Sequence, residues 1–267
     1  MRVLLYVNPE KDTNEEYRSR LISLLNKHGI ECDCIVDDTN VENNNYSALI
    51  VLGGDGTILH RTEFANRFRI PIIGINCGKL GFLSEFEINK AEDAIIMLKN
   101  GDYVIDERLT LKTVFNGKTY LALNDISLTR VYEDTDRVIV RLGIKIGEET
   151  LPDMVGDGIV ASTPTGSTAY SLSAGGAILE PHIDAFCITP IAAHSLLSRA
   201  VVCSAKNVCT FTNKDGAKVG VFADGKLIGY LTECDSVSIS VSETKTLFLR
   251  KRGFDFFARL NSKMLLR

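Results

Sequence analysis

The chain has 267 residues, 45% hydrophobic and 24% charged, with a formal net charge of −4. That length holds one large domain or two ordinary ones. The mild negative charge lacks the basic footprint of a nucleic-acid binder, and no segment approaches the ~18 apolar residues of a membrane span, so no nucleic acid and no membrane is expected as a partner.

Residues 2–7, "RVLLYV", read as a buried strand ended by Asn8-Pro9. The run is too short for a signal peptide. A helix follows, with Tyr17, Leu21, Leu24 and Leu25 at helical spacing. Thr13 and Glu16 form a capping-box pattern, and Gly29 suits the C-terminal cap. "ECDCIV" is a second strand and "SALIVLG" a third, whose continuous apolar run predicts burial on both faces. A short helix is expected after Gly53-Gly54-Asp55-Gly56, then a strand in "RIPIIGIN" and a helix in "KAEDAIIMLKNG". Alternating strands and helices predict an open parallel α/β sheet with helices on both faces.

After Gly101 the pattern changes to period-two alternation. "ERLTLKTVF" and "KTYLALNDISLTRV" flank Asn116-Gly117, a strong hairpin signal. Only 167–174 and 254–265 look helical. The second half is therefore expected to be all-β and sandwich-like. The boundaries drawn are 1–100 for the α/β domain, joined by the tail 249–267, and 101–248 for the β-rich domain. The two are expected to pack with the active site in a cleft. Seven cysteines, with no CxxC pair, read as reduced thiols of a cytoplasmic protein and not as a disulfide framework or zinc site.

"YSALIVLGGDGTILHRT" raises the functional question. Glycines at the carboxyl end of a parallel strand let a phosphate approach the backbone, and the next helix N-terminus favours negative charge. A carboxylate among them, Asp55, is unfavourable there unless it accepts a proton from an attacking hydroxyl or holds a metal. The bland alternative is a tight turn with Asp55 capping the helix. No GxGxxG follows a strand, and "GINCGKL" fails as a P-loop because Leu80 stands where Ser or Thr is required.

"GDGIVASTPTGSTAYSLSAGG" is a strand, a Pro164–Gly166 turn and a short helix with Ser167 as the expected N-cap. Its crowded hydroxyls suit a polar ligand, and Tyr170 offers a ring for a base. Asn124-Asp125 lies late in what reads as one strand, "YLALNDISL". Ala223-Asp224-Gly225-Lys226 reads as a hairpin turn.

Together these stretches resemble the NAD kinase family. "LGGDGTIL", "GINCGKLGFL", "ALNDI", "DGIVASTPTGSTAYSLSAGG", "TPIAAHSLLSRAVV" and "FFARLNSKM" carry the likeness across nearly the whole chain. GGDG by itself is shared with 6-phosphofructokinases and lipid kinases; the 163–171 segment separates them. The resemblance implies transfer of the ATP γ-phosphoryl group, with polyphosphate as an alternative donor, to the 2′-hydroxyl of the adenosine ribose of NAD. Asp55 would be catalytic. Gly56, Phe82, Asn124, Asp125, Asp157, Thr168, Ala169, Tyr170, Ser173 and Asp224 would bind the dinucleotide. Gly53, Gly54, Thr57, His60 and Arg61 would face the phosphate donor. Mg²⁺ would arrive with ATP and no protein metal cage is expected. Asp157 and Asp224 match positions at a subunit contact, which implies a homo-oligomer, a tetramer or dimer. The rivals are a lipid or sugar kinase, and a non-catalytic dinucleotide sensor.

Overall fold

The computed structural model describes residues 1–36, 45–78, 80–131, 139–195 and 198–264. In chain order the first elements are β1 (Arg2–Val7), α1 (Glu16–Lys27), β2 (Glu31–Ile35), β3 (Ala48–Leu52), α2 (Asp55–Phe68), β4 (Ile72–Asn76), β5 (Phe86–Glu87), α3 (Ala91–Asn100) and β6 (Val104–Arg108). Then come β7 (Leu111–Phe115), β8 (Lys118–Ala122), β9 (Asp125–Arg130), β10 (Val140–Ile146), β11 (Glu149–Gly156), β12 (Gly158–Ser162), α4 (Tyr170–Ser173), β13 (Ala185–Ile191), β14 (Val201–Ser204), β15 (Val208–Asn213), β16 (Val219–Ala223), β17 (Lys226–Leu231) and β18 (Ser236–Val241). The last are β19 (Thr246–Arg250) and α5 (Phe256–Met264). The chain forms two compact units, Met1–Glu107 with Thr246–Arg267, and Arg108–Lys245.

In the first unit the sheet runs β2-β1-β3-β4-β19-β6, with β5 against β4. Pairs β1–β2, β1–β3, β3–β4 and β4–β19 are parallel. Every residue of β3 is buried, as a strand covered on both faces requires. Val3, Leu5, Ile50, Leu52, Ile73 and Ile75 share one face and pack on Leu21, Leu25, Ala94, Ile95 and Leu98 of α1 and α3. The opposite face takes α2: a Cβ on Gly74 would meet Ile58 Cδ1 at 2.5 Å. Full burial of each Leu or Ile here contributes ~1.5–3 kcal/mol.

Two local expectations are corrected. The cap of α1 is not the Thr13–Glu16 box. Asp12, buried, accepts the amides of Tyr17 at 2.9 Å and Arg18 at 2.8 Å, and Glu15 makes the turn at φ 54°. Nor is α2 short: its 14 residues extend to Phe68, because Phe64 and Ala65 are buried as well as Ile58.

The second unit is two six-stranded antiparallel sheets, β11-β10-β15-β18-β7-β8 and β14-β13-β12-β9-β16-β17. Leu111, Leu142, Phe211 and Ile239 of the first pack on Ile126, Leu128, Ile159, Ala161, Phe186 and Val221 of the second. This is the expected sandwich. Asn116-Gly117 and Asp224-Gly225 both hold positive φ, 49° with 74° and 47° with 77°, the geometry of a two-residue hairpin turn.

"YLALNDISL" is not one strand. β8 ends at Ala122 in one sheet and β9 starts at Asp125 in the other, so the chain changes sheets at Leu123–Asn124. On β9 the residues of opposite parity to the core are polar, Asp125 and Ser127; on β12 they include Val160, across from Ser127, and Ser162, across from Asp125. That face is covered by the 163–176 segment, where Ser171 Oγ meets Thr189 Oγ1 at 2.9 Å.

Candidate active site

In the first unit a candidate site sits where β3 ends and α2 begins. Gly54 is the N-cap and makes no side-chain cap bond. The first helical amides, those of Gly54, Asp55, Gly56 and Thr57, therefore lack intrahelical acceptors. Asp55 does not cap its own helix. Its carboxylate turns to the 81–84 loop: Oδ2 accepts the Phe82 amide at 2.6 Å, and Oδ1 accepts those of Leu83 at 3.2 Å and Ser84 at 3.4 Å. A carboxylate has about four acceptor positions. Oδ2 thus keeps one for an incoming hydroxyl.

The neighbouring glycines divide into two kinds. A Cβ on Gly81 would collide with Asp55 Oδ1, and one on Gly53 would lie 2.5 Å from Thr57 Oγ1. Close packing demands both. Gly54 and Gly56 face open space, with nothing within 4 Å of a Cβ, and neither has positive φ. The fold gives no reason for them, and a group approaching the helix N-terminus does. Thr57 Oγ1 accepts a hydrogen bond from Asn8 Nδ2 at 2.8 Å. His60 is exposed, and the Arg61 guanidinium lies 4.2 Å from the Tyr6 ring centroid. Arg61 is about 9 Å along the helix from Asp55 at 1.5 Å rise per residue.

The sandwich unit carries a candidate site of its own. Where the chain leaves β8, three backbone amides drop out of the strand ladders. The Asp224 carboxylate takes all three: Leu123 at 2.7 Å, Asn124 at 2.8 Å and Asp125 at 3.1 Å. The 163–166 turn presses on the same corner. Thr163 N–H donates to Asn124 O at 2.9 Å, and a Cβ on Gly166 would collide with that oxygen. Asn124 and Asp125 are thereby fixed from two sides.

Burial drives the Asp125 carboxyl up to about 7, with the Asp224 charge adding to it. Burial likewise raises Asp224 to about 6, opposed by its three amide donors. Tyr170, 41% exposed, has its hydroxyl raised by burial and then by Asp125 and Asp157. Asp157 pairs with Arg130, 3.2 Å from Oδ1 to Nε. Thr168 Oγ1 donates to Thr165 O at 3.3 Å, and Ser173 is exposed. Ser167 is not an N-cap: its hydroxyl donates to Pro164 O at 2.6 Å and accepts the Leu179 amide at 2.9 Å. Ser162 Oγ, buried opposite Asp125, has no hydrogen-bond partner among the described residues.

Sequence reasoning missed Asn8, Arg250 and Arg259. Arg250 is 1% exposed and pairs with Glu85 and Asp106, both at 3.1 Å. Arg259 donates to Gly81 O at 2.7 Å and Ser84 O at 2.8 Å. Arginines in a charged tail carry no local signal of such partners.

A strand-end carboxylate held by amides beside a helix N-terminus, with one acceptor position left, suits removal of a proton from a hydroxyl next to bound phosphates, the chemistry of a small-molecule kinase. Comparison narrows the class. The ATP-NAD kinase N-terminal domain matches residues 6–103 and the ATP-NAD kinase C-terminal domain residues 123–251. The NAD kinase of Caldicellulosiruptor bescii is 34% identical over 264 residues, 99% of either chain. That of Natranaerobius thermophilus is 34% identical over 278 residues, 97% of this chain and 96% of its own. The fold matches yeast NADH kinase complexed with NADH at a TM-score of 0.83 and 23% identity, over 99% of this chain and 87% of that one. It matches an NAD kinase from Archaeoglobus fulgidus in complex with ATP at 0.78 and 21%, over 98% and 99%. The chain belongs to the NAD kinase family.

Proposed function

We propose that the chain transfers the γ-phosphoryl group of ATP to the 2′-hydroxyl of the adenosine ribose of NAD, giving NADP and ADP. The observation that carries this reading is the Asp55 carboxylate, held by three amides with one acceptor position left on Oδ2. The ribose hydroxyl gives its proton to Asp55 as its oxygen bonds to the γ-phosphorus. The bond from that phosphorus to the bridging oxygen breaks, and ADP leaves with the electron pair. A placed base contributes roughly 10²–10⁴-fold. The unpaired amides at the start of α2 suit the donor phosphates.

Asn124 and Asp125 would hold ribose hydroxyls, and Tyr170 would stack on a base. Gly53, Gly54, Thr57, His60 and Arg61 stay assigned to the donor side, with Gly54 the best supported by its open surroundings, and Gly56, equally open, stays with the dinucleotide. Among the described residues no group of three or more His, Cys, Asp or Glu could hold a metal ion. Mg²⁺ would be held by the donor phosphates and water, the last acceptor position of Asp55 being left to the ribose hydroxyl. Bound with ATP, the metal would neutralise charge on the transferring group. The same reading, resting on the family, takes the enzyme as a cytoplasmic homo-oligomer, dimer or tetramer. Incubation with ATP, Mg²⁺ and NAD, read by an NADP-specific dehydrogenase, tests it; bound NAD without turnover would support the sensor instead.

A further inference from the structure

We propose that Arg259 is a positioning residue for phosphoryl transfer, acting on Asp55 through the peptide group between Gly81 and Phe82. The inference rests on the proposed role of Asp55 as base. A peptide group presents its carbonyl and its amide on opposite sides. Here the carbonyl of Gly81 accepts from Arg259 Nη1 at 2.7 Å, and the amide of the same group, on Phe82, donates to Asp55 Oδ2 at 2.6 Å. Guanidinium, peptide and carboxylate form one chain of hydrogen bonds.

The next peptide group repeats the arrangement. The Phe82 carbonyl accepts from Arg250 Nη2 at 3.2 Å, and the Leu83 amide donates to Asp55 Oδ1 at 3.2 Å. Arg259 also holds the far end of the loop through Ser84 O at 2.8 Å. A cation on a carbonyl polarises the peptide and strengthens the donation at its other end. Both arginines are withdrawn from water, with side chains 1% and 14% exposed, so their charge is little screened.

The division of labour between them differs. Arg250 is bound to Glu85 and Asp106, each at 3.1 Å and each buried, so its removal takes the guanidinium from two buried carboxylates and threatens the fold. Arg259 approaches Glu85 only at 3.8 Å and spends its short bonds on the loop carbonyls. It is the residue whose change reports on the loop.

The test is steady-state kinetics of Arg259→Ala and Arg259→Lys in the full chain with ATP, Mg²⁺ and NAD, beside wild type and Asp55→Asn. Arg259→Ala is expected to lower kcat about 10- to 100-fold, the scale of a small misplacement of a reacting group, with the KM for NAD within about 3-fold. Weaker donation from the Phe82 amide favours the protonated carboxyl, so the acid limb of the kcat profile should move to higher pH. Arg259→Lys should recover part of kcat, as should guanidinium added to Arg259→Ala. Melting temperatures verify that both variants are folded at assay temperature. If Arg259→Ala fails to fold, Arg259→Lys carries the test through its kcat and acid limb. Wild-type kcat with an unmoved acid limb overturns the proposal, as does a loss matched by the unfolded fraction and not recovered by lysine or guanidinium. A wild type that makes no NADP overturns the functional reading itself, and with it the role given to Arg259.

Discussion

Asp224 and Asp125 hold one another by their backbones. The Asp125 carbonyl accepts the Asp224 amide at 2.9 Å, and the Asp224 carboxylate accepts the Asp125 amide at 3.1 Å. The exchange locks a hairpin turn onto the corner where the chain passes from β8 to β9. It also brings two carboxylates together away from water.

That pairing makes a pH dependence. Asp125 is raised to about 7 and Asp224 to about 6, whereas an unfolded carboxylate titrates near 4. Between those values the folded state keeps protons that the unfolded chain has released. Stability should therefore fall as pH rises from about 4 to about 7 and then level off. Asp125→Asn should flatten this fall, matching wild type near pH 5 and exceeding it near pH 8. Urea unfolding at several pH values checks it; a stability that rises with pH in wild type and falls in Asp125→Asn would contradict the assignment. If Asp125 accepts ribose hydroxyls as the carboxylate, the KM for NAD should also drop between pH 6 and 8.

Asp224→Ala should loosen the Asn124 corner. Three amides lose their acceptor, at a cost of about 1–3 kcal/mol for a buried polar group left unpaired, more if several stay dry. The KM for NAD should rise while the KM for ATP changes little. An unaltered denaturation midpoint in this variant would mean the three bonds hold nothing.

Asp55→Asn is not a neutral probe. Both carboxylate oxygens accept amides, so the Asn NH₂ must face a donor. Turnover should fall roughly 10²–10⁴-fold, and stability should also fall by about 1–3 kcal/mol. Assays well below the melting temperature separate the two.

Gly54→Ala tests the donor side and Gly56→Ala the dinucleotide side, since neither added Cβ meets protein. Gly56→Ala should raise stability by about 0.5–1 kcal/mol, because alanine suits a helix better. Gly54→Ala should nonetheless raise the KM for ATP, and Gly56→Ala the KM for NAD. Wild-type kinetics in both would free the helix N-terminus from any part in binding.

What is legible in the sequence is local. Apolar runs mark β3 and β4, Asn116-Gly117 marks its hairpin, and Gly101, at φ 68°, ends α3 as its position suggests. The strand-end glycines mark Asp55. What is not legible depends on distant partners. The break at Leu123–Asn124 is stabilised by Asp224, 99 to 101 positions away. Phe82 stands out for its ring, yet its amide is what reaches Asp55, and backbone groups carry no letter in a sequence. Arg61 follows the motif closely but lies over Tyr6 of β1, a pairing that only the sheet order creates.

The most direct test of the central claim is NADP formation by the purified chain with ATP, Mg²⁺ and NAD, run against Asp55→Asn at a temperature where both are folded. Steady NADP production by wild type that collapses in Asp55→Asn is the predicted result. NADP production that persists in Asp55→Asn would contradict the role of the strand-end carboxylate, and none in wild type would contradict the reaction.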